Sequence, residues 1–237
     1  MFIEKYCHNS KEQISFSRQQ ASDFAKKIAD DFNPLHDVDA KRFCVPGDLL
    51  FSLVLAKSGL HQQMTFKFSG MVSNDVLLNF PENITEQACI TDDNGKEYMQ
   101  VTVAGDKTKN ESLITSLIRS YVEFSGHTFP HILVKLMAEK NVMINPSRPM
   151  VMYESMSIDL NTLDVPSVNL AFSGSTLSLD GKRGNACLEF DLTANEKIIG
   201  HGKKYMLLSG LREYCPEVMD SIVNEYNTKK ARYLQAQ

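Results

Sequence analysis

The sequence predicts an α+β chain in which a buried helix is wrapped by an antiparallel sheet, and this unit occurs twice. Three observations lead there. Residues 49–60 are apolar at nearly every position, so a helix in this stretch would be buried all round. Strand-like runs at 64–69, 75–80, 86–91 and 96–104 follow, and Asp92-Asp93-Asn94-Gly95 between the last two is a hairpin signal. The same order then recurs, with a helix near 125–137 and strand runs at 150–158, 167–179, 186–193 and 197–208.

Taken in order, residues 1–16 read as an extended lead-in ending in Ile14-Ser15-Phe16. A helix opens at Ser17, with Phe24 and Ile28 four apart and Ala21 and Ala25 on the same side. It must stop before Pro34, because proline drives Asn33 out of the α region. Asp30 and Asp31 are thereby left at a helix C-terminus, the unfavourable end of the macrodipole for a carboxylate, at a cost of up to ~1 kcal/mol. A local rule broken without evident gain marks a candidate functional site; the alternative is that both aspartates are simply solvated. Gly47 opens the buried helix and Gly59 supplies its stop.

Residues 105–120 read as a polar bridge passing into an apolar run at 113–118. Ser125-Gly126-His127-Thr128-Phe129-Pro130 reads as the second helix start, with proline in the first turn and Ile132, Leu133, Leu136 and Met137 on its core face. Residues 161–166 and 180–184 supply turns. After Pro216, the spacing of Val218, Ile222 and Tyr226 predicts a C-terminal amphipathic helix packed on the body, with Lys229, Lys230 and Arg232 near its end. This order is that of a double hot-dog: residues 1–108 form one unit, and residues 109–237 form a degenerate second unit plus the C-terminal helix. Joining the two half-sheets removes an open edge that either alone would carry.

Composition narrows the function. A net charge of -4 argues against a generic nucleic-acid binder. No apolar run approaches the ~18 residues of a membrane helix, and Met1-Phe2-Ile3-Glu4-Lys5 has no secretory character. The five cysteines are odd in number and include no Cys-x-x-Cys, so neither a disulfide framework nor a zinc knuckle is expected. A cytoplasmic location fits these features. His127 and His131, four apart, could face one way, but no third metal ligand is evident. His61 and His201 read as surface or loop residues.

The chemistry-bearing stretch is Asp30-Asp31-Phe32-Asn33-Pro34-Leu35-His36, followed by Val45-Pro46-Gly47. Asp31-x-Asn33-Pro34-Leu35-His36 resembles the motif Gly-Asp-x-Asn-Pro-(Leu/Ile/Val)-His of the MaoC-like (R)-specific enoyl-CoA hydratases, in which it precedes a central hot-dog helix. The likeness covers roughly residues 15–105. It implies an enoyl-thioester hydratase or dehydratase: Asp31 as base on a water, His36 orienting that water and assisting proton transfer, Asn33 shaping the turn or bonding within the site, and a Gly47 N–H at the helix start binding the thioester oxygen. The substrate would be an acyl-CoA or acyl-carrier-protein thioester, with no further cofactor and no metal. Lys182, Arg183, Lys203 and Lys204 are candidates for the CoA phosphates, and a homo-oligomer is possible. Asp30 stands where the motif has glycine, and Asp48 adds a carboxylate at the proposed oxyanion site. Three readings stay open: the hydratase, a thioesterase, and a non-catalytic module that binds an acyl-CoA-like ligand or a protein partner.

Overall fold

A computed structural model describes residues 1–10 and 13–236. After a short 3-10 turn, Phe2–Tyr6, the first part of the chain forms β1 (His8–Ser10), β2 (Gln13–Ser15), α1 (Arg18–Lys27), α2 (Gly47–Ser58), β3 (Leu60–Phe68), β4 (Leu78–Asn79), β5 (Gln87–Asp92) and β6 (Glu97–Thr108). The second part forms α3 (Glu111–Gly126), α4 (Leu133–Glu139), β7 (Val142–Met143), β8 (Val151–Leu160), β9 (Asn169–Asp180), β10 (Arg183–Ala194), β11 (Lys197–Ser209), β12 (Arg212–Glu213) and α5 (Pro216–Gln235). Among the described residues, ten strands make one antiparallel sheet in the order β1-β2-β4-β5-β6-β3-β8-β11-β10-β9, while β7 and β12 pair separately. The two parts meet where β3 pairs with β8, from Gln63 opposite Asp159 to Lys67 opposite Ser155. Two half-sheets fused at their inner edges, each with a central helix, make a double hot-dog.

Local chemistry explains the elements. Ser17 caps α1 by a reciprocal capping box with Gln20. The helix α2 is buried on all sides from Asp48 to Leu55, and Gly59 ends it at φ 92°, a conformation that disfavours any side chain. The β5–β6 hairpin turns at Gly95, with the Asp92 carboxylate accepting the N–H groups of Asn94 and Lys96. In β10 the alternation places Ala186, Leu188, Phe190 and Leu192 on the core face. The two central helices pack through Phe51 and Tyr121, whose ring centroids lie 4.9 Å apart; Phe51 also meets Phe66 and Tyr121 meets Phe190. Burying each such side chain contributes ~2–3 kcal/mol.

The second central helix differs from expectation. It is α3, starting at Glu111, rather than a helix from Ser125. Asn110 caps it by accepting the N–H groups of Ser112 and Leu113, and Leu113, Ile114, Leu117, Ile118, Tyr121 and Val122 line its buried face. The stretch around Pro130 ends this helix instead. Phe129 precedes a cis proline with extended ψ, as a residue before proline prefers, and the helix resumes only as the short α4. The lead-in is a helical turn and a short hairpin, not one extended run, and the 75–80 run contributes only the two residues of β4. His61 is buried, not a surface residue, whereas His201 is exposed and paired with Asp191. Among the described residues no helix is long and apolar enough to cross a membrane.

Candidate active site at the start of the first central helix

The loop from α1 to α2 is organised by its own short polar side chains. Asp30 takes a left-handed conformation, φ 52°, and the Asp31 N–H donates back to the Ala25 carbonyl at 2.9 Å. The Asp31 carboxylate accepts the Asn33 N–H at 2.8 Å, and the Asn33 side-chain oxygen accepts the Leu35 N–H at 3.1 Å. Asn33 thus shapes the turn, with Pro34 preset for the single 3-10 turn Pro34–His36. The turn brings the His36 ring beside Asp31, with Nε2 3.6 Å from Asp31 Oδ2. The other ring nitrogen, Nδ1, lies 2.7 Å from the Cys44 carbonyl.

A carbonyl oxygen only accepts, so Nδ1 carries a hydrogen. In neutral His36, Nε2 is then an acceptor, and it faces the carboxylate, a second acceptor, at a distance too long for a direct hydrogen bond. Such a pair is complemented by a water that donates one hydrogen to each. A water held in that way presents its lone pairs outward, as nucleophilic attack requires.

Asp31 and His36 both bear on Asp48, which follows Gly47 in the first turn of α2. No side chain caps the helix, and its N-cap is Pro46. A Cβ on Gly47 would lie 3.0 Å from the Phe68 ring and 3.3 Å from the Tyr153 ring, so these aromatics wall the helix start. Asp48 is buried, at 9% exposure. Its Oδ2 accepts the Ser125 hydroxyl at 2.5 Å, and Ser125 Oγ accepts Lys204 Nζ at 2.5 Å. Lys204, 5% exposed, also reaches Thr128 Oγ1 at 3.4 Å and stands 4.5 Å from the centre of the Tyr153 ring. The Tyr153 hydroxyl bonds that of Tyr121.

Burial pushes the Asp48 carboxyl up, against the pull of Lys204 and Ser125, and the charge of Asp31 pushes it the same way as burial. Burial pushes Lys204 down, against Asp48 and Asp31. The tyrosine hydroxyls are both held far above their usual range by burial. Asp48 Oδ1 has no partner among the described residues. This buried network links α2 with α3, β8 and β11, and so crosses from one central helix to the other.

Asp30 has a different task. Its carboxylate accepts His127 Nε2 at 2.8 Å and pairs with Lys230 of α5. Lys229 pairs with Asp37 and donates to the Phe32 carbonyl, and Tyr226 Oη accepts the Phe32 N–H at 3.1 Å. The helix α5 therefore clasps the motif loop, with Phe32 edge-on to Tyr226 and Tyr233.

Of the residues singled out in the sequence, the structure brings Asp31 and His36 together and sets Gly47 at the walled start of α2. Ser125, Tyr121 and Tyr153 were missed, and Lys204, expected among the CoA-phosphate candidates, is instead buried against Ser125 and Asp48. The signal for Lys204 was period two along β11, which puts it on the face of Met206 and Leu208 and puts Lys203 outside, paired with Glu189. Lys182 and Arg183 are exposed at the β9–β10 turn. His127 and His131 do face one way, with ring centroids 5.7 Å apart. Among the described residues no group of three His, Cys, Asp or Glu side chains is placed to hold a metal ion. The two histidines line an open groove of about 880 Å³ with Phe124, Leu136, Leu170 and Phe172. Asp31, His36 and Gly47 are not among its lining residues.

A family model described as "Protein of unknown function (DUF3581)" matches residues 1–217. None of the curated proteins matches the sequence significantly. Among solved structures, the chain resembles the acyl-CoA thioesterase II TesB2 of Mycobacterium marinum at 8% identity and TM-score 0.48, over 90% of this chain and 98% of that one. It also resembles a conserved hot-dog protein of unknown function from Alicyclobacillus acidocaldarius at 9% identity and TM-score 0.46, over 89% and 98%. A third, the TesB protein of Mycobacterium avium subspecies paratuberculosis, is 12% identical with TM-score 0.41, over 70% and 87%. The double hot-dog assignment itself rests on the strand order and the two central helices described above.

Proposed function

We propose that this chain, which belongs to the DUF3581 family, adds water to an acyl thioester of CoA or of an acyl carrier protein, principally by hydrolysis. One observation carries the reading: Asp31 Oδ2 and His36 Nε2 face each other across 3.6 Å, near enough to buried Asp48 in the first turn of α2 for both to bear on its carboxyl. Water held between them attacks the thioester carbonyl carbon and gives up a proton to the pair. The tetrahedral oxyanion takes hydrogen bonds from N–H groups at the start of α2, where the helix dipole favours negative charge. Collapse breaks the C–S bond, and the proton held by the pair passes to the departing thiolate. Lys204, through Ser125, offsets the negative charge of Asp48 at the same helix start.

Hydrolysis needs one electrophilic carbon within reach of the water, whereas hydration must also return a proton to the α carbon. The likeness of residues 31–36 to the MaoC-like motif favours hydration as the second reading. Acyl-CoAs of increasing length and an acyl-carrier-protein thioester, followed by thiol release, test the first. Loss of enoyl absorbance from crotonyl-CoA tests the second. Asp31→Asn and His36→Ala should each lower the active reaction by ~10²-fold or more. Activity that is unchanged in both variants, or absent on every thioester, overturns the enzymatic reading and leaves a non-catalytic binding module.

A further inference from the structure

The ten-stranded sheet has two outer edges, and they are built differently. One is β1, only three residues long, beside a three-residue β2. A very short edge strand is a usual protection against unwanted pairing. The other is β9, twelve residues long and, among the described residues, bonded on one side only, to β10. Its sequence, Asn-Leu-Ala-Phe-Ser-Gly-Ser-Thr-Leu-Ser-Leu-Asp, contains no Lys, Arg, Glu or Pro. Its register against β10 shifts between Gly174 and Phe172, a bulge at Ser173 that leaves 174–180 as a regular seven-residue run. This run keeps its outward N–H and C=O groups at the sheet edge, with no proline and a single charge, Asp180, at its end.

We propose that β9 pairs antiparallel with β9 of a second copy of this chain, about a two-fold axis at Leu177, to make one sheet continuous through a dimer. Leu177 is the midpoint of the regular run. An axis there sets Thr176 opposite the partner's Ser178, Ser175 opposite the partner's Leu179, and Gly174 opposite the partner's Asp180. No like charges meet, and Thr opposite Ser is a favourable cross-strand pair. A two-fold relating antiparallel neighbours stands normal to the sheet, so both copies keep their helices on the same face. Leu179, 40% exposed, shares the face of buried Leu177 and gains cover from the partner strand. Phe172, 50% exposed, lies beyond the bulge where the sheet edge meets the groove beside α3 and α4. The interface is isologous, so it closes at two copies and does not grow into a filament.

The test uses the full chain at tens of micromolar, with mass measured by light scattering after size exclusion. The wild type should run at twice the 26.7 kDa chain mass. T176K/S178K sets lysine opposite lysine, and T176E/S178E sets glutamate opposite glutamate. Both positions are exposed, so each double variant should stay folded, unfold cooperatively at a midpoint independent of protein concentration, and halve in mass. An equimolar mixture of the two should recover the dimer. A monomeric wild type, a dimer that persists in both charged variants, or a mixture that stays monomeric overturns the proposal. On the unmodified protein, amide exchange across 174–180 should slow as concentration rises; exchange independent of concentration overturns it as well.

Discussion

Replacing Lys204 by Met should destabilise the protein by about 3–5 kcal/mol, because the change leaves a buried carboxylate without its cation. The structure sets the terms of that estimate. Asp48 and Lys204 are 9% and 5% exposed, and one hydroxyl, Ser125 Oγ, bonds both at 2.5 Å. With Lys204 gone, Asp48 must either stay charged without compensation or take up a proton, and its raised affinity for protons limits the loss. Asp48→Leu alone strands the ammonium in the same way. The double variant Asp48→Leu/Lys204→Met removes both charges and should lie near wild type or above it. With each single variant down by about 3–5 kcal/mol and the double near wild type, the coupling in the double-mutant cycle should be roughly 6 kcal/mol or more. For a chain of this size the single variants correspond to a fall in Tm of roughly 6–20 °C.

Urea unfolding at neutral pH measures all four proteins. A Lys204→Met variant within ~0.5 kcal/mol of wild type, or a coupling below that, refutes the compensated pair. The pH dependence supplies an independent sign. Lys204 binds its proton less tightly when folded, so its contribution is complete above the unfolded value of ~10.4 and is lost as pH falls through the folded value. Asp48 is shifted the other way, so its contribution is complete below ~3.9 and is lost as pH rises through the folded value. Both slopes should vanish in the double variant.

Three further outcomes follow from single contacts. Gly126→Ala would set a Cβ 1.7 Å from the Ala29 carbonyl oxygen, a backbone atom that no side-chain rotation can move away, and should cost about 3 kcal/mol or more in unfolding free energy by forcing the segment after α1 off α3. Tyr226→Phe strips the Phe32 N–H of its acceptor and should cost ~1–3 kcal/mol, with faster amide exchange across 30–37 and little change elsewhere. Burial pushes the Cys44 thiol up to about 11, so at pH 8 its alkylation, read by peptide mass spectrometry, should be ~10²-fold slower than in the unfolded chain.

Much of the architecture was legible before any coordinates. The all-round apolar segment behind Gly47 admits only a buried helix, and Asn94-Gly95 admits only a tight hairpin, because both features act through neighbouring residues. The second central helix was misplaced by a competition between signals. Pro130 looked like a helix start, while Asn110, which caps the true start, sits in a polar stretch that reads as a bridge. A single cap carries about 1 kcal/mol, and the apolar periodicity at Leu113, Leu117 and Tyr121 is what outweighs the polar opening. His61 and Lys204 were misjudged for a related reason. Residue type favours exposure for both, and only their position on a strand face reverses it.

The sequence by itself determined the turn that joins Asp31 to His36, since Asp31, Asn33 and Pro34 close it through bonds two residues long. It also determined the walls of the fold, because the periodicity of apolar residues selects which face is buried. Only the tertiary structure decided what surrounds that turn. Asp30 is held by His127 and Lys230, and Asp48 is held through Ser125 by Lys204, across separations of 97, 200, 77 and 79 residues. Such partners depend on how the two half-sheets fuse at β3 and β8 and on where α5 comes to rest, and neither is encoded in local spacing. The physical reason is that a buried charge is tolerated only beside its counter-charge, and which side chains meet is settled when the distant segments pack.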